Sequence, residues 1–137
     1  MVNNGLGDST TPDTETITVE ANSEIDAGDA LAIKQDATEG RLPVVDPLQD
    51  DTTPNVDQEA GVASEDIESG ETGTMQIGGG VIANVATGIS QGERLSAGST
   101  AGQLVSEDDG PWLALSGEGE TDRAGTSLDA NEAEVYL

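Results

Sequence analysis

The chain contains no cysteine, no histidine and no phenylalanine, and its 137 residues include one tryptophan and one tyrosine. Without cysteine there are no disulfides and no thiolate chemistry, and the redox compartment stays open. Without histidine as well, the usual general base, nucleophile partner and transition-metal ligands are missing. Basic residues are almost as scarce. Lys34, Arg41, Arg94 and Arg123 stand against 28 acids, for a formal charge of -24. Four cations cannot neutralise a phosphate backbone against that field, so nucleic acid is not an expected partner. No apolar run approaches the roughly 20 residues of a membrane span. Met1-Val2-Asn3-Asn4-Gly5 also lacks the basic start and apolar run of a secretory signal. Synthesis in the cytoplasm, with no membrane partner, is the expectation.

The acid excess admits two readings. Low hydrophobicity with high net charge is the signature of disorder, and unscreened carboxylates oppose a compact state. At molar salt the Debye length falls to about 3 Å and most of that repulsion disappears. The apolar residues decide for a fold adapted to brine, because they are clustered. Ile17/Val19, Leu31/Ile33, Val44/Val45, Val81/Ile82/Val85, Leu104/Val105, Trp112/Leu113/Leu115 and Val135/Tyr136/Leu137 are separated by turn-forming Gly, Ser and Asp. The core of such a chain is thin, and burial against further copies would help it.

Residues 1–15 carry no periodic apolar pattern and read as a flexible N-terminal arm; residues 16–137 read as one β domain. Strands are expected at Thr16–Glu20, Ala30–Lys34, Arg41–Asp46, Ala60–Ser64, Thr72–Ile77 and Val81–Val85. Others are expected at Arg94–Ser96, Gln103–Ser106, Pro111–Ser116 and Ala133–Leu137. Gly78-Gly79-Gly80 and Asp109-Gly110 read as hairpin turns, the latter through a preference for positive φ. Pro47–Glu59 and Gly117–Asn131 read as long polar loops. Apolar residues never hold helical spacing over three turns, and the 18 glycines disfavour helix interiors. The expected fold is mainly β, a small antiparallel β-barrel or sandwich with long polar loops.

One short pattern recurs. Ala27-Gly28-Asp29-Ala30-Leu31, Ser69-Gly70-Glu71-Thr72-Gly73 and Gln91-Gly92-Glu93-Arg94-Leu95 each place a glycine and an acid before a strand. Each reads as a tight turn with the glycine at positive φ.

The residues supply little chemistry. Adjacent acids such as Asp50/Asp51, Glu65/Asp66 and Asp108/Asp109 are expected by chance at this composition, and the platform aromatics of a sugar hydrolase are absent. No catalytic residue, cofactor or dedicated metal ligand is assigned, and the chain is not read as an enzyme. Asp46–Asp57 and Glu65-Asp66-Ile67-Glu68 could offer oxygens to a hard cation, without the spacing of a calcium loop. Gly78–Gly80 lacks the Lys-Ser/Thr of a phosphate loop. Trp112 reads as a core anchor or an interface contact. Tyr136, with Leu137, reads as a subunit-interface candidate, since tyrosine can bury its ring and keep its hydroxyl wet.

Ala27–Ala32, Ala60–Met75 and Gly80-Val81-Ile82 leading to Ile89–Leu95 resemble, in that order, the small head-decoration proteins of tailed viruses. The resemblance spans a little over half the chain and rests on turns and strands. It implies a capsid-stabilising β protein on the outside of an assembled shell, clamping neighbouring subunits of the major capsid protein as a homotrimer at three-fold positions. With the acidic surface, it implies a virus of a halophilic host. The candidate capsid-contact arm holds Thr10, Thr11, Thr14, Thr16 and Ile17, poised to add a strand to a capsid sheet edge. The alternative is a soluble or surface β-domain that binds a ligand or hard cation through acidic loops.

Overall fold

The computed structural model describes residues 14–34, 42–49 and 59–137. Among these the regular elements are strands: β1 Glu15–Ala21, β2 Ala30–Ile33, β3 Val44–Pro47, β4 Gly61–Ala63, β5 Thr72–Gly78, β6 Gly80–Asn84, β7 Arg94–Ala97, β8 Leu104–Ser106, β9 Trp112–Ala114 and β10 Glu132–Tyr136. The mainly β barrel expected from the sequence is what forms. Each predicted strand has its counterpart, displaced by a few residues at most.

The first five strands close into a barrel in the order β1-β3-β2-β4-β5, and the last five form a sheet in the order β6-β10-β9-β7-β8. Pairings are antiparallel except β1 with β3, which run parallel. The second sheet nearly closes as well, through a parallel bridge between Val85 and Leu104. Traced from β6, its order around that near-closure is β6-β8-β7-β9-β10, the order of the first barrel.

The two halves repeat one another in register. Leu31 pairs with Pro47 and Ile33 with Val45; Leu95 pairs with Ser106 and Ala97 with Leu104 in the same way. The cross-strand row Ala30, Val62, Gln76 of the first half corresponds to Arg94, Leu113, Tyr136 of the second. The parallel pair Ala21–Val45 corresponds to the Val85–Leu104 bridge. Even the flanking hydrogen bonds agree: Asn22 N–H donates to Val45 O at 2.9 Å, and Ala86 N–H to Leu104 O at 2.8 Å.

Each half has its own interior. Val19, Ala21, Ile25, Leu31, Val45, Ala63, Ile67 and Met75 fill the first barrel. Their counterparts Ala83, Val85, Ile89, Leu95, Leu104, Ala114 and Val135 lie in the second cluster, which Ala30, Ala32, Leu48 and Val62 of the first half also join. The halves therefore meet along a buried seam. Backbone bonds cross it: Ala30 N–H to Gly102 O at 2.9 Å, Gly102 N–H to Leu48 O at 2.7 Å, and Asn84 N–H to Gly28 O at 2.8 Å.

Two turn expectations are corrected. Gly78-Gly79-Gly80 is not a hairpin, since β5 and β6 belong to different sheets; it is the crossover between halves. The buried Gln76 amide holds it, donating to Gly78 O at 2.8 Å and Gly80 O at 2.9 Å. Asp109-Gly110 does not join paired strands, and neither residue has positive φ. Gly110 ends a turn whose N–H donates to Glu107 O at 2.9 Å. A Cβ there would lie 2.3 Å from Leu95 O, so the glycine serves a close backbone approach.

Candidate functional site

The recurring Gly-acid turns are built alike. Gly28, Gly70 and Gly92 have φ of 92°, 84° and 92°. Each following acid donates its N–H to the carbonyl three residues back: Asp29 to Asp26 at 3.0 Å, Glu71 to Glu68 at 2.9 Å, Glu93 to Ser90 at 3.2 Å. Positive φ at the third position is the type II pattern. A fourth copy, Asp129-Ala130-Asn131-Glu132, was not found from the sequence because asparagine stands for glycine. Asn131 has φ 66°, the one positive non-glycine φ among the described residues, and Glu132 N–H donates to Asp129 O at 3.1 Å. Asparagine tolerates this region through its short polar side chain. In three copies the acid also accepts the first turn N–H: Asp29 from Asp26 at 3.0 Å, Glu93 from Ser90 at 2.7 Å, Glu132 from Asp129 at 3.0 Å.

Of the acids that could have served a cation, Asp46, Glu65 and Asp66 are engaged with the protein, while Asp50, Asp51 and Asp57 lie outside the described residues. Asp46 accepts from the Asn22 amide at 3.1 Å and the Ser23 hydroxyl at 2.9 Å. Asp66 accepts from Ala27 N–H at 2.8 Å, and Glu65 from Thr74 N–H at 3.0 Å. Among the described residues no group of three or more acids is gathered as a metal site.

A cleft of about 490 Å³ opens along the seam, between the Asp26–Asp29 turn, Ala63-Ser64, Gln76, Val81–Asn84 and Ala130–Glu132. Asp29 lies buried at its edge. Burial raises its pKa, Asp26 and Asp66 add to the rise by repulsion, and hydrogen bonds from the Asp26 N–H and the Asn84 side chain oppose it. Glu118 behaves oppositely. It accepts from Asn131 N–H at 2.8 Å and Gly88 N–H at 3.2 Å, and these bonds hold its pKa below the ordinary glutamate value. Arg123 clamps the nearly buried Glu134, with its N–H and Nε at 2.9 Å and Nη2 at 2.8 Å. The glutamate hydrogen bond and charge raise the arginine pKa further. Neither this clamp nor the seam is legible in the sequence, since both depend on which strands become neighbours.

The candidate contact residues do not converge. Thr10 and Thr11 lie outside the described residues. Thr14 is exposed ahead of β1, while Thr16 and Ile17 are inside β1, paired with Gln76 and Met75. Trp112 is buried in the second core and Leu137 packs against that cluster. Tyr136 is 52% exposed, the most exposed large apolar side chain among the described residues.

The fold is thus a double barrel joined along a buried seam, with Asp29, Glu93 and Glu132 tied into its own turns. The family model described as phage cement protein matches residues 9–135. The chain belongs to that family: it is a structural, capsid-associated virion protein of a phage family, which is not an enzyme class. Among solved structures it is similar to the head fiber gp8.5 N base of bacteriophage phi29, with a TM-score of 0.57 at 14% identity, covering 90% of this chain and 93% of that one. At that identity the likeness concerns the fold. No curated protein matches the sequence.

Proposed function

We propose that this protein decorates the outside of an assembled capsid as a homotrimer at three-fold positions, bound to the major capsid protein, and stabilises the shell. The observation that carries the reading is the cement-family match over residues 9–135. Residues 1–15 serve as a flexible arm, with Thr10, Thr11, Thr14, Thr16 and Ile17 at or near its contact with the shell, and residues 16–137 act as the β domain. Extended segments of this kind add to sheet edges through backbone hydrogen bonds, and many weak contacts repeated over a shell gain strength together.

The host is a halophile and the protein is made in its cytoplasm. A charge of -24 supports the first part, since it favours a compact state at molar salt rather than in dilute buffer. The test is addition of purified protein to shells stripped of it, in molar potassium chloride. Saturable binding in a fixed ratio to the major capsid protein, with greater resistance to heat and low salt, is expected. Bound shells no more robust than bare ones would remove the stabilising role.

A further inference from the structure

The internal seam is a template for a contact between copies. Within the chain, the row Ala30, Val62, Gln76 on the outer face of the first barrel is buried, at 0%, 0% and 7% exposure. It covers the gap in the second half, where β6 and β8 are joined only by the Val85–Leu104 bridge. The same two features recur elsewhere on the molecule, covered by nothing among the described residues. The equivalent row on the second half is Arg94, Leu113, Tyr136, in which Arg94 and Tyr136 are exposed and Leu113 is half-buried. The equivalent gap on the first half lies beside β1, whose outer edge from Glu15 to Val19 has no strand partner among the described residues.

We propose that the Arg94–Leu113–Tyr136 row of one copy docks on the β1 edge of a second copy, repeating the seam head to tail. The composition of the two surfaces fits. Leu42, 40% exposed, and Pro43 precede β3 on the receiving side, where Ala101 and Gly102 precede β8 in the seam. The docking row brings Tyr136 as an aromatic anchor, a residue type that concentrates interface energy. It also brings Arg94, which forms no ion pair among the described residues, to a strand carrying the exposed Glu15. Register fixes one contact closely. In the seam the Gln76 amide donates to Gly80 O. Tyr136 is the counterpart of Gln76 and Thr16 the counterpart of Gly80, so Tyr136 of one copy meets Thr16 of the next. A heterologous contact of this kind closes into a ring if its rotation allows. The ring of three rests on the capsid-decoration reading; the pairing of surfaces does not.

The sequence has no cysteine, so a thiol cross-link tests the pairing cleanly. Thr16→Cys and Tyr136→Cys together, treated with a short bismaleimide in molar potassium chloride, are expected to give covalent oligomers ending at the trimer. Each single variant is expected to stay uncross-linked. Tyr136→Asp is expected to reduce the mass by sedimentation equilibrium to that of a monomer while keeping the parent's circular dichroism spectrum and a cooperative unfolding transition. Cross-linking of Tyr136→Cys alone would show that the row meets itself and overturn the proposal. So would a double variant that stays monomeric on the gel, or Tyr136→Asp with unchanged mass. Head-to-tail oligomers that fail to bind shells would sink the capsid reading and leave this pairing standing, whereas monomers that bind shells would do the reverse.

Discussion

The two halves share strand order, directions and register, yet they reach closure by different means. The first barrel closes through two β1–β3 pairs, at Glu20 and Ala21; the second is held by one bridge and covered by the first barrel's outer face. Their interiors compensate in volume. Gly61 and Met75 face one another in the first, where a Cβ on Gly61 would lie 2.6 Å from the Met75 side chain. At the equivalent places the second has Trp112 and Val135, a large residue opposite a smaller one. Ile67, buried in the first core, has Glu118 as its counterpart, with a carboxylate that accepts backbone N–H groups instead of packing. One topology thus tolerates opposite choices of size and polarity, provided the total filling and the turn geometry are kept.

The largest effect expected is at Trp112. Trp112→Gly, which makes the second half copy the first, should cost about 3–5 kcal/mol in urea unfolding at molar potassium chloride. Adding Val135→Met should recover part of it, because the pair shares one volume, and strict additivity of the two changes would break the compensation argument. Gly61→Ala should cost about 1–3 kcal/mol, since the new Cβ would meet Gln76 O at 2.4 Å as well as Met75.

The fourth turn offers a smaller test. Asn131→Ala should cost about 1–2 kcal/mol, from the positive φ and from the amide bonds to Val85 O at 3.1 Å and Thr87 Oγ1 at 3.3 Å. Asn131→Gly should stay within about 1 kcal/mol of the parent, as easier backbone geometry offsets the lost bonds. Equal losses for both would mean that the turn conformation carries no weight.

Turn acids supply the smallest and most diagnostic contrast, read as midpoints against pH. The folded state raises the Asp29 pKa, so its favourable contribution belongs to the protonated form and is lost as pH rises through the folded value. Asp29→Asn should therefore raise the midpoint at neutral pH. Glu118 has a lowered pKa, so its contribution is present above the ordinary glutamate value and is lost as pH falls. Glu118→Gln should lower the neutral midpoint, and both gaps should close in acid. Shifts of the same sign at neutral pH would contradict the opposite environments assigned to the two acids.

Much of the architecture was legible because local signals and the fold agree. Alternation marked the strands, and glycine before an acid marked three turns whose positive φ is realised at Gly28, Gly70 and Gly92. The fourth turn escaped because Asn131 performs the glycine's task, and the motif Leu-Asp-Ala-Asn-Glu would have shown it had asparagine been admitted at that place. The duplication escaped for a different reason. Equivalent positions keep their place in the fold but not their identity, as Gly61 with Trp112 and Ile67 with Glu118 show, and register is decided by pairings between strands distant in sequence. The candidate surface was legible only in part. Tyr136 stood out as an aromatic near a chain end, but its relation to Thr16 appears only once the seam supplies the template.

The central claim is that this double barrel acts as a capsid-bound structural protein through its surfaces. Co-sedimentation with stripped shells in molar potassium chloride tests it most directly. The account predicts saturable binding in a fixed ratio to the major capsid protein, reduced when Tyr136→Asp prevents copies from joining. Protein that remains in the supernatant at every concentration, while folded, would contradict it.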